Sequence, residues 1–343
     1  MKFYKEKSKK HIFLHIGFMK TGTSAIQSFI NTNETFLAKN NFFFPKTNKK
    51  AMNYLGFSLL DEIPPLIHTK LDINRKKLYK NLINEINNCT QDNILITTEA
   101  FSLITTNIFI GEDAPKRLFE LFKRQNYTFS IIAFVRRQDE YLETQYNQHI
   151  KTHNFWNLYT KDINTFYSEK KELLNFNMIL KRWAKYFGEN NIKVKVYDKS
   201  NNSVLEFLKM LGLNTDNITI NNNKVNNKLS YKALEFMRIA NEFHLEKKTA
   251  KQNYELIELI ENALGRTKKS YSLLNREESF HVMEEFKKDN YELSKQYLQD
   301  DISWIGIEKQ KVIAENDIDD SLTKEDAVKI ATKIWNHLQN NKK

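Results

Sequence analysis

Apolar residues gather in two ways along this chain. Short, near-continuous apolar runs at 12–16 (IFLHI), 42–45 (FFFP), 93–98 (NILITT), 128–136 (TFSIIAFVR) and 191–197 (NIKVKVY) predict buried strands, the second of them stopped by Pro45. Between them the apolar positions step by three and four. Ala25, Ile26, Phe29, Ile30 and Leu37 share one broad helical face, and helical patterns follow around 51–60, 75–88, 115–125, 138–152, 170–187 and 203–211. Strands that are apolar on both faces and alternate with helices predict an α/β fold, a central parallel sheet covered by helices on each side.

The pattern changes near residue 215. TDNITINNNKVNNK is polar and Asn-rich and reads as a loop or linker; beyond it, 229–243, 252–264, 276–298 and 323–339 read as helices. Residues 11–215 are therefore expected to form the α/β core and 216–343 a helical cap region of the same domain, an independent helical domain being the lesser option. No repeat at a fixed period interrupts this organisation.

The opening MKFYKEKSKKHIFLHIGFM imitates a secretory signal, basic and then apolar. Its apolar part is short, contains His11 and His15, and runs into Lys20 without a small-residue cleavage site, so it reads as a strand. No run of roughly 18 or more apolar residues predicts a transmembrane helix. The one cysteine, Cys89, can form neither an internal disulfide nor a cysteine zinc site, which points to a reducing, cytoplasmic setting.

The net charge of +11 suggests an anionic partner: nucleic acid, a membrane surface, or a phosphate- or sulfate-bearing small molecule. Its make-up weakens the first option. There are 44 Lys and 40 Asn but only 9 Arg, the bias of an AT-rich coding sequence, so a clustered Arg carries more information than a clustered Lys. No DNA- or RNA-reading motif is present.

The first strand runs into Gly17-Phe18-Met19-Lys20-Thr21-Gly22-Thr23-Ser24, directly ahead of a helix. Glycines at a strand-to-helix turn let the backbone fold round an anion, and the helix start offers it free N–H groups. The string is Walker-like, but Thr23 stands where the Walker lysine belongs, and the loop's lysine, Lys20, lies three residues earlier. The plain alternative is a glycine turn with a solvated lysine.

The string LHIGFMKTGTSAIQSFI resembles the 5′-phosphosulfate loop of sulfotransferases that use 3′-phosphoadenosine 5′-phosphosulfate (PAPS), most of all the bacterial group acting on glycans. That resemblance implies that Lys20 stabilises the oxygen bridging phosphate and sulfate. It also implies that the N–H groups of Thr21, Gly22, Thr23 and Ser24, with the Thr23 and Ser24 hydroxyls, hold the 5′-phosphate.

A second stretch, IIAFVRRQDEYLETQYNQ at 131–148, matches the family's 3′-phosphate motif, an Arg at a strand end with a hydroxyl residue eight positions on. Arg136 and Thr144 have that spacing, Thr replacing the usual Ser; Arg137 is the alternative contact. A guanidinium offers a planar fork to phosphate, and Tyr141, Thr144 and Gln148 share one helical face. The competing reading pairs Arg136 and Arg137 with Asp139 and Glu140 on the surface.

The strand at 93–98 ends in Thr98-Glu99-Ala100, and in related glycan sulfotransferases a Glu at this strand end is the presumed base, which implies that role for Glu99. A Glu at a helix start can also simply favour the helix dipole. His15 and His68 are rival bases. Where relatives often carry a histidine soon after the second strand, this chain has Ala51-Met52-Asn53-Tyr54.

His149 and His153, four apart, could form a two-histidine metal face, but no third ligand is evident. Together these observations lead to a P-loop-kinase-like three-layer sandwich with a helical C-terminal region. The expected activity is sulfuryl transfer from PAPS to an acceptor hydroxyl, with a glycan as the expected acceptor, leaving adenosine 3′,5′-bisphosphate and needing no metal. The alternatives are a P-loop small-molecule kinase and a non-enzymatic basic nucleic-acid-binding protein.

Overall fold

The computed structural model describes residues 9–49, 52–63, 74–106, 109, 111, 113–123, 125–151, 159–216, 218, 220, 228–243, 250–265, 271–305 and 321–340. Five strands form one sheet: β1 (His11–Ile16), β2 (Phe42–Phe43), β3 (Asn93–Thr98), β4 (Thr128–Val135) and β5 (Ile192–Val196). Their order is β2-β3-β1-β4-β5 and every pairing is parallel. The first helices are α1 (Thr23–Thr32), α2 (Glu34–Lys39), α3 (Lys46–Lys49), α4 (Met52–Ser58), α5 (Arg75–Asn88), α6 (Ala100–Leu103) and α7 (Ala114–Lys123). Then come α8 (Gln138–Lys151), α9 (Ile163–Lys170), α10 (Phe176–Phe187) and α11 (Ser203–Met210). The chain continues with α12 (Tyr231–Glu242), α13 (Ala250–Ala263), α14 (Arg276–Glu285), α15 (Lys287–Tyr297) and α16 (Lys324–Asn340).

The chain divides into two compact units, which interleave along the sequence. The first comprises Met1–Arg137, Glu172–Asn221 and Glu285–Ile305; the second comprises Gln138–Lys171, Asn222–Glu284 and Gly306–Lys343. The sheet lies in the first unit, together with α15. Helix α8, which follows the Arg136–Arg137 doublet, groups with the later helices.

Register explains the layers of the first unit. His11 pairs with Asn93 and Thr128, so alternate side chains of β1, β3 and β4 share a face. Phe13, Leu95, Ile132 and Phe134 meet Ile26, Phe29 and Ile30 of α1 and Val204, Phe207 and Leu208 of α11. On the opposite face Phe129 meets Phe119 and Phe122 of α7 and Phe187 of α10. Both faces are covered, which is why the strands carry continuous apolar runs.

Asparagine, so frequent here, supplies helix caps. Asn74, Asn175 and Asn202 accept from Lys77, Met178, and Val204 and Leu205 backbone N–H groups at the starts of α5, α10 and α11. These caps also break elements that apolar periodicity runs together. The expected 170–187 helix starts at the last residue of α9, passes through a 3₁₀ turn at Lys171–Leu174, and is α10 only after Asn175. Asn33 divides α1 from α2, and Phe286 divides α14 from α15. The second strand shortens to two residues at the sheet edge, before Pro45.

In the second unit α12 packs on α8. The Asn241 amide donates to the carbonyls of Ile150 (3.0 Å) and Tyr159 (3.1 Å). Buried Glu143 of α8 accepts from the Leu273 N–H at 2.9 Å and from Lys228 at 3.3 Å, tying the 271–274 segment and the start of the Leu229 stretch to that helix.

Trp183 of α10 is fully buried against Phe101 and Phe187. Trp183→Ala removes this large side chain from a closed core and should destabilise the protein by about 3–5 kcal/mol. Urea unfolding of the two proteins measures it; a loss below about 1 kcal/mol would show that the core refills the space.

Candidate functional site

In a parallel sheet every strand presents its carboxyl end at the same edge. Here the order places the connections leaving β1 and β4, two neighbours, in opposite directions across the sheet, which is where open α/β sheets form their binding crevice. The residues following β1, β3, β4 and β5 in the first unit are therefore the ones that line this edge.

After β1, Gly17 donates to the Thr98 carbonyl (3.1 Å) and its own carbonyl accepts from Ser102 (3.0 Å), so the loop is stitched to the end of β3. A side chain on Gly17 would meet Thr23 at 2.7 Å and the Glu99 Cα at 3.3 Å. The turn then passes through left-handed backbone at Lys20 (φ 61°) and Gly22 (φ 89°). Gly22 is the N-cap of α1 with no side-chain cap, so the first turn's N–H groups and the helix dipole face the loop. A Cβ on Gly22 would lie 2.3 Å from the Ser203 hydroxyl and 3.4 Å from the Tyr197 ring. Position 22 thus requires glycine for both its conformation and its close neighbours.

The hydroxyls of the loop do not all face outward. Thr21 donates to the Phe18 carbonyl at 2.7 Å and Thr23 donates to the same oxygen at 3.1 Å, both side chains being buried. The Thr23 hydroxyl expected on a phosphate is instead spent holding the turn, because the Phe18 carbonyl has come within its reach. Ser24 is exposed on the first turn of α1.

Glu99 follows β3 directly and is the N-cap of α6. Protein packs round its carboxyl, and this desolvation pushes its pKa up to about 7, while the nearby Lys20 ammonium pulls the other way. Lys20 and Glu99, assigned from separate motifs, therefore interact. Beside them the Thr98 hydroxyl donates to the Asn53 side chain (2.8 Å) and accepts from the Ala100 N–H (3.1 Å), fixing the strand end.

After β4, Arg136 and Arg137 are both buried rather than on the surface, as is Asp139. Arg136 stands over the Tyr197 ring at 5.5 Å, and Arg137 donates to the Trp304 carbonyl at 3.4 Å. Thr144 lies on α8, in the second unit, and its hydroxyl donates to the Glu140 carbonyl at 2.7 Å. Tyr197 and Ser203 were not among the sequence candidates. Their signal is faint: a tyrosine ending the β5 run, and a serine just after the capping Asn202.

His15 is no base. It is fully buried in β1, its Nδ1 pairs with the Thr97 hydroxyl at 2.8 Å, and Phe134 and Phe207 flank it. Burial drives its pKa down to about 3. His149 is packed against Phe166, and its Nδ1 donates to the Gln145 carbonyl at 2.8 Å. His68 and His153 lie outside the described residues, as does Ala51. Among the described residues no three His, Cys, Asp or Glu side chains group as a metal site, and no helix is long and apolar enough to cross a membrane.

No family model matches the chain. An uncharacterized protein of Archaeoglobus fulgidus is 25% identical over 231 residues, which are 66% of this chain and 57% of that protein. The chain thus spans little more than half the length of that curated relative. Among solved structures, a sulfotransferase from Alicyclobacillus acidocaldarius is similar, with a TM-score of 0.43 and 13% identity over 70% of this chain and 97% of that one. A likeness of that degree assigns no activity.

The raised Glu99 pKa makes a linkage prediction. Between its ordinary 4.5 and about 7 the unfolded chain has lost this proton while the folded protein keeps it. Glu99 therefore lowers stability progressively as pH rises through that window. Glu99→Gln should match the wild type below about pH 4.5 and be more stable above about pH 7. Urea midpoints at the two ends measure this; a constant difference across the window would show that Glu99 titrates normally.

Proposed function

We propose that this chain is a sulfotransferase, moving a sulfuryl group from PAPS to an acceptor hydroxyl, with a glycan as the acceptor class. The observation that carries the reading is the desolvated Glu99 carboxyl at the end of β3, within electrostatic reach of the Lys20 ammonium from the loop after β1. The uncapped start of α1 supports an anion at the same loop.

In this reading the acceptor oxygen bonds to sulfur as the bond from sulfur to the 5′-phosphate oxygen breaks. The hydroxyl proton passes to Glu99, and adenosine 3′,5′-bisphosphate leaves. A carboxyl with a pKa of about 7 is half ionised at neutral pH, so it can accept that proton and later release it. Lys20 stabilises the charge growing on the leaving phosphate, with the N–H groups of Thr21, Gly22, Thr23 and Ser24 around it. Arg136, held over Tyr197, is assigned to the 3′-phosphate.

Sulfuryl carries less charge than a terminal phosphoryl group, so the reaction is assigned no metal. Thr23 in place of the Walker lysine argues in the same direction, away from a kinase. A cytoplasmic setting suits a chain whose one cysteine, Cys89, is unpaired with another.

Transfer of radiolabelled sulfate from PAPS to a glycan library tests the activity. Lys20→Ala should lower kcat by about 10²–10³-fold with a smaller effect on donor binding. Glu99→Gln should lower it by about 10²–10⁴-fold. Transfer that survives both changes at saturating donor would overturn the assignment.

A further inference from the structure

Helix α4 (Met52–Ser58) has seven residues, yet it is fastened along its length. At its far end the carbonyls of Ser58, Leu59 and Leu60 accept from Tyr79, Arg117 and Arg75, so two of the chain's nine arginines hold them. In the middle, a Cβ on Gly56 would lie 2.4 Å from the Ala100 Cβ, so glycine lets α4 sit directly on the start of α6. Three residues earlier on the same helical face, the Asn53 side chain reaches the end of β3.

Hydrogen bonding fixes the orientation of that carboxamide. Thr98 is fully buried; its hydroxyl oxygen accepts from the Ala100 N–H at 3.1 Å, and its proton goes to Asn53 Oδ1 at 2.8 Å. Turning the amide over would set an N–H against the hydroxyl oxygen and take from the Thr98 proton the acceptor it has. Oδ1 is therefore committed. Nδ2 keeps two N–H donors that have no partner among the described residues, on a side chain that is half-buried and not enclosed.

Glu99 follows Thr98 in the chain, about 3.8 Å on at the Cα. A molecule that brings a hydroxyl to Glu99 thus comes in beside Asn53. Two neutral N–H groups call for oxygen lone pairs and demand no charge, and an acidic group there would also face the Glu99 carboxylate. A hydroxyl, ether or carbonyl oxygen next to the reacting hydroxyl satisfies them. An alcohol without such an oxygen displaces water from both donors and gives nothing in return, a loss that selects against it.

We propose that Asn53 determines acceptor specificity: its amide N–H groups donate to a neutral oxygen next to the hydroxyl that receives the sulfuryl group. Acceptors with neighbouring oxygens are taken and isolated alcohols are not. The inference rests on the sulfotransferase reading and adds to it a residue and a chemical requirement that hold whether or not the acceptor is a glycan.

The test is transfer from radiolabelled PAPS to trans-cyclohexane-1,2-diol, cyclohexanol and a glycan library, by the wild type, Asn53→Ala and Asn53→Asp. Binding of adenosine 3′,5′-bisphosphate is measured in parallel. Asn53→Asp keeps an oxygen for Thr98 and removes both donors, which separates recognition from support of the strand end; Asn53→Ala adds no charge. The wild type should use the diol at a KM about tenfold below that for cyclohexanol. Both variants should raise the KM for the diol and for the glycan acceptors about tenfold, with bisphosphate affinity unchanged. Equal KM values for diol and cyclohexanol, a KM unmoved by Asn53→Asp, or a fall in kcat and bisphosphate affinity at constant KM would overturn the proposal. A wild type that transfers sulfate to none of these compounds overturns the sulfotransferase reading and this inference together; transfer indifferent to position 53 overturns this inference alone.

Discussion

Parallel pairing of β1 with both β3 and β4 is the constraint on which the rest of the first unit depends. It sends three strand ends to one edge, and β5 adds a fourth. Residues far apart in sequence, Lys20, Glu99, Arg136 and Tyr197, follow those ends for no reason other than this geometry. Both sheet faces are filled by helices, so the edge is where polar chemistry can reach solvent without breaking the core. The loop after β1 is then drawn against β3 by Gly17 and Ser102, and Gly22 against Ser203.

Electrostatics at that edge follows from packing. Glu99 stands where the strand ends and protein surrounds its carboxyl, so desolvation raises its pKa, and the opposing pull of Lys20 leaves it near neutrality. Desolvation gives Glu99 this character, and Lys20 moderates it. An exposed Glu would be fully ionised at neutral pH, and a lone solvated lysine would be an ordinary surface charge. His15, only a few residues away in sequence, shows the opposite outcome: enclosed by Phe134 and Phe207, it is driven to the neutral form and withdrawn from solvent.

The sheet could be read from the sequence because buried parallel strands are apolar on both faces and stand out from amphipathic helices. The 93–98 run coincides with β3, and the runs for β1, β4 and β5 differ from them by a residue or so at their ends. Helix breaks at Asn33, Asn175 and Phe286 could not be read that way, since the apolar stripe continues past them while the backbone turns. Lys20, Glu99 and Arg136 were visible as strand-end residues. The inward turn of the Thr23 hydroxyl depends on the Phe18 carbonyl, and the arrival of Ser203 and Tyr197 depends on β5 lying beside β4. Both are tertiary facts that local pattern does not carry. The interleaving of the two units is of the same kind, because it groups α8 and α15 with partners distant in sequence.

The central claim is that this strand edge recognises an adenosine nucleotide carrying a 3′-phosphate. Calorimetric affinities of adenosine 3′,5′-bisphosphate and adenosine 5′-monophosphate, for the wild type and for Arg136→Ala, measure it directly as a cycle. Charge-assisted bonds from a buried guanidinium contribute about 1.5–3 kcal/mol. The account predicts that the substitution weakens the bisphosphate by about 10–200-fold and leaves the monophosphate nearly unchanged. Equal losses for both nucleotides, or equal wild-type affinities, would contradict it.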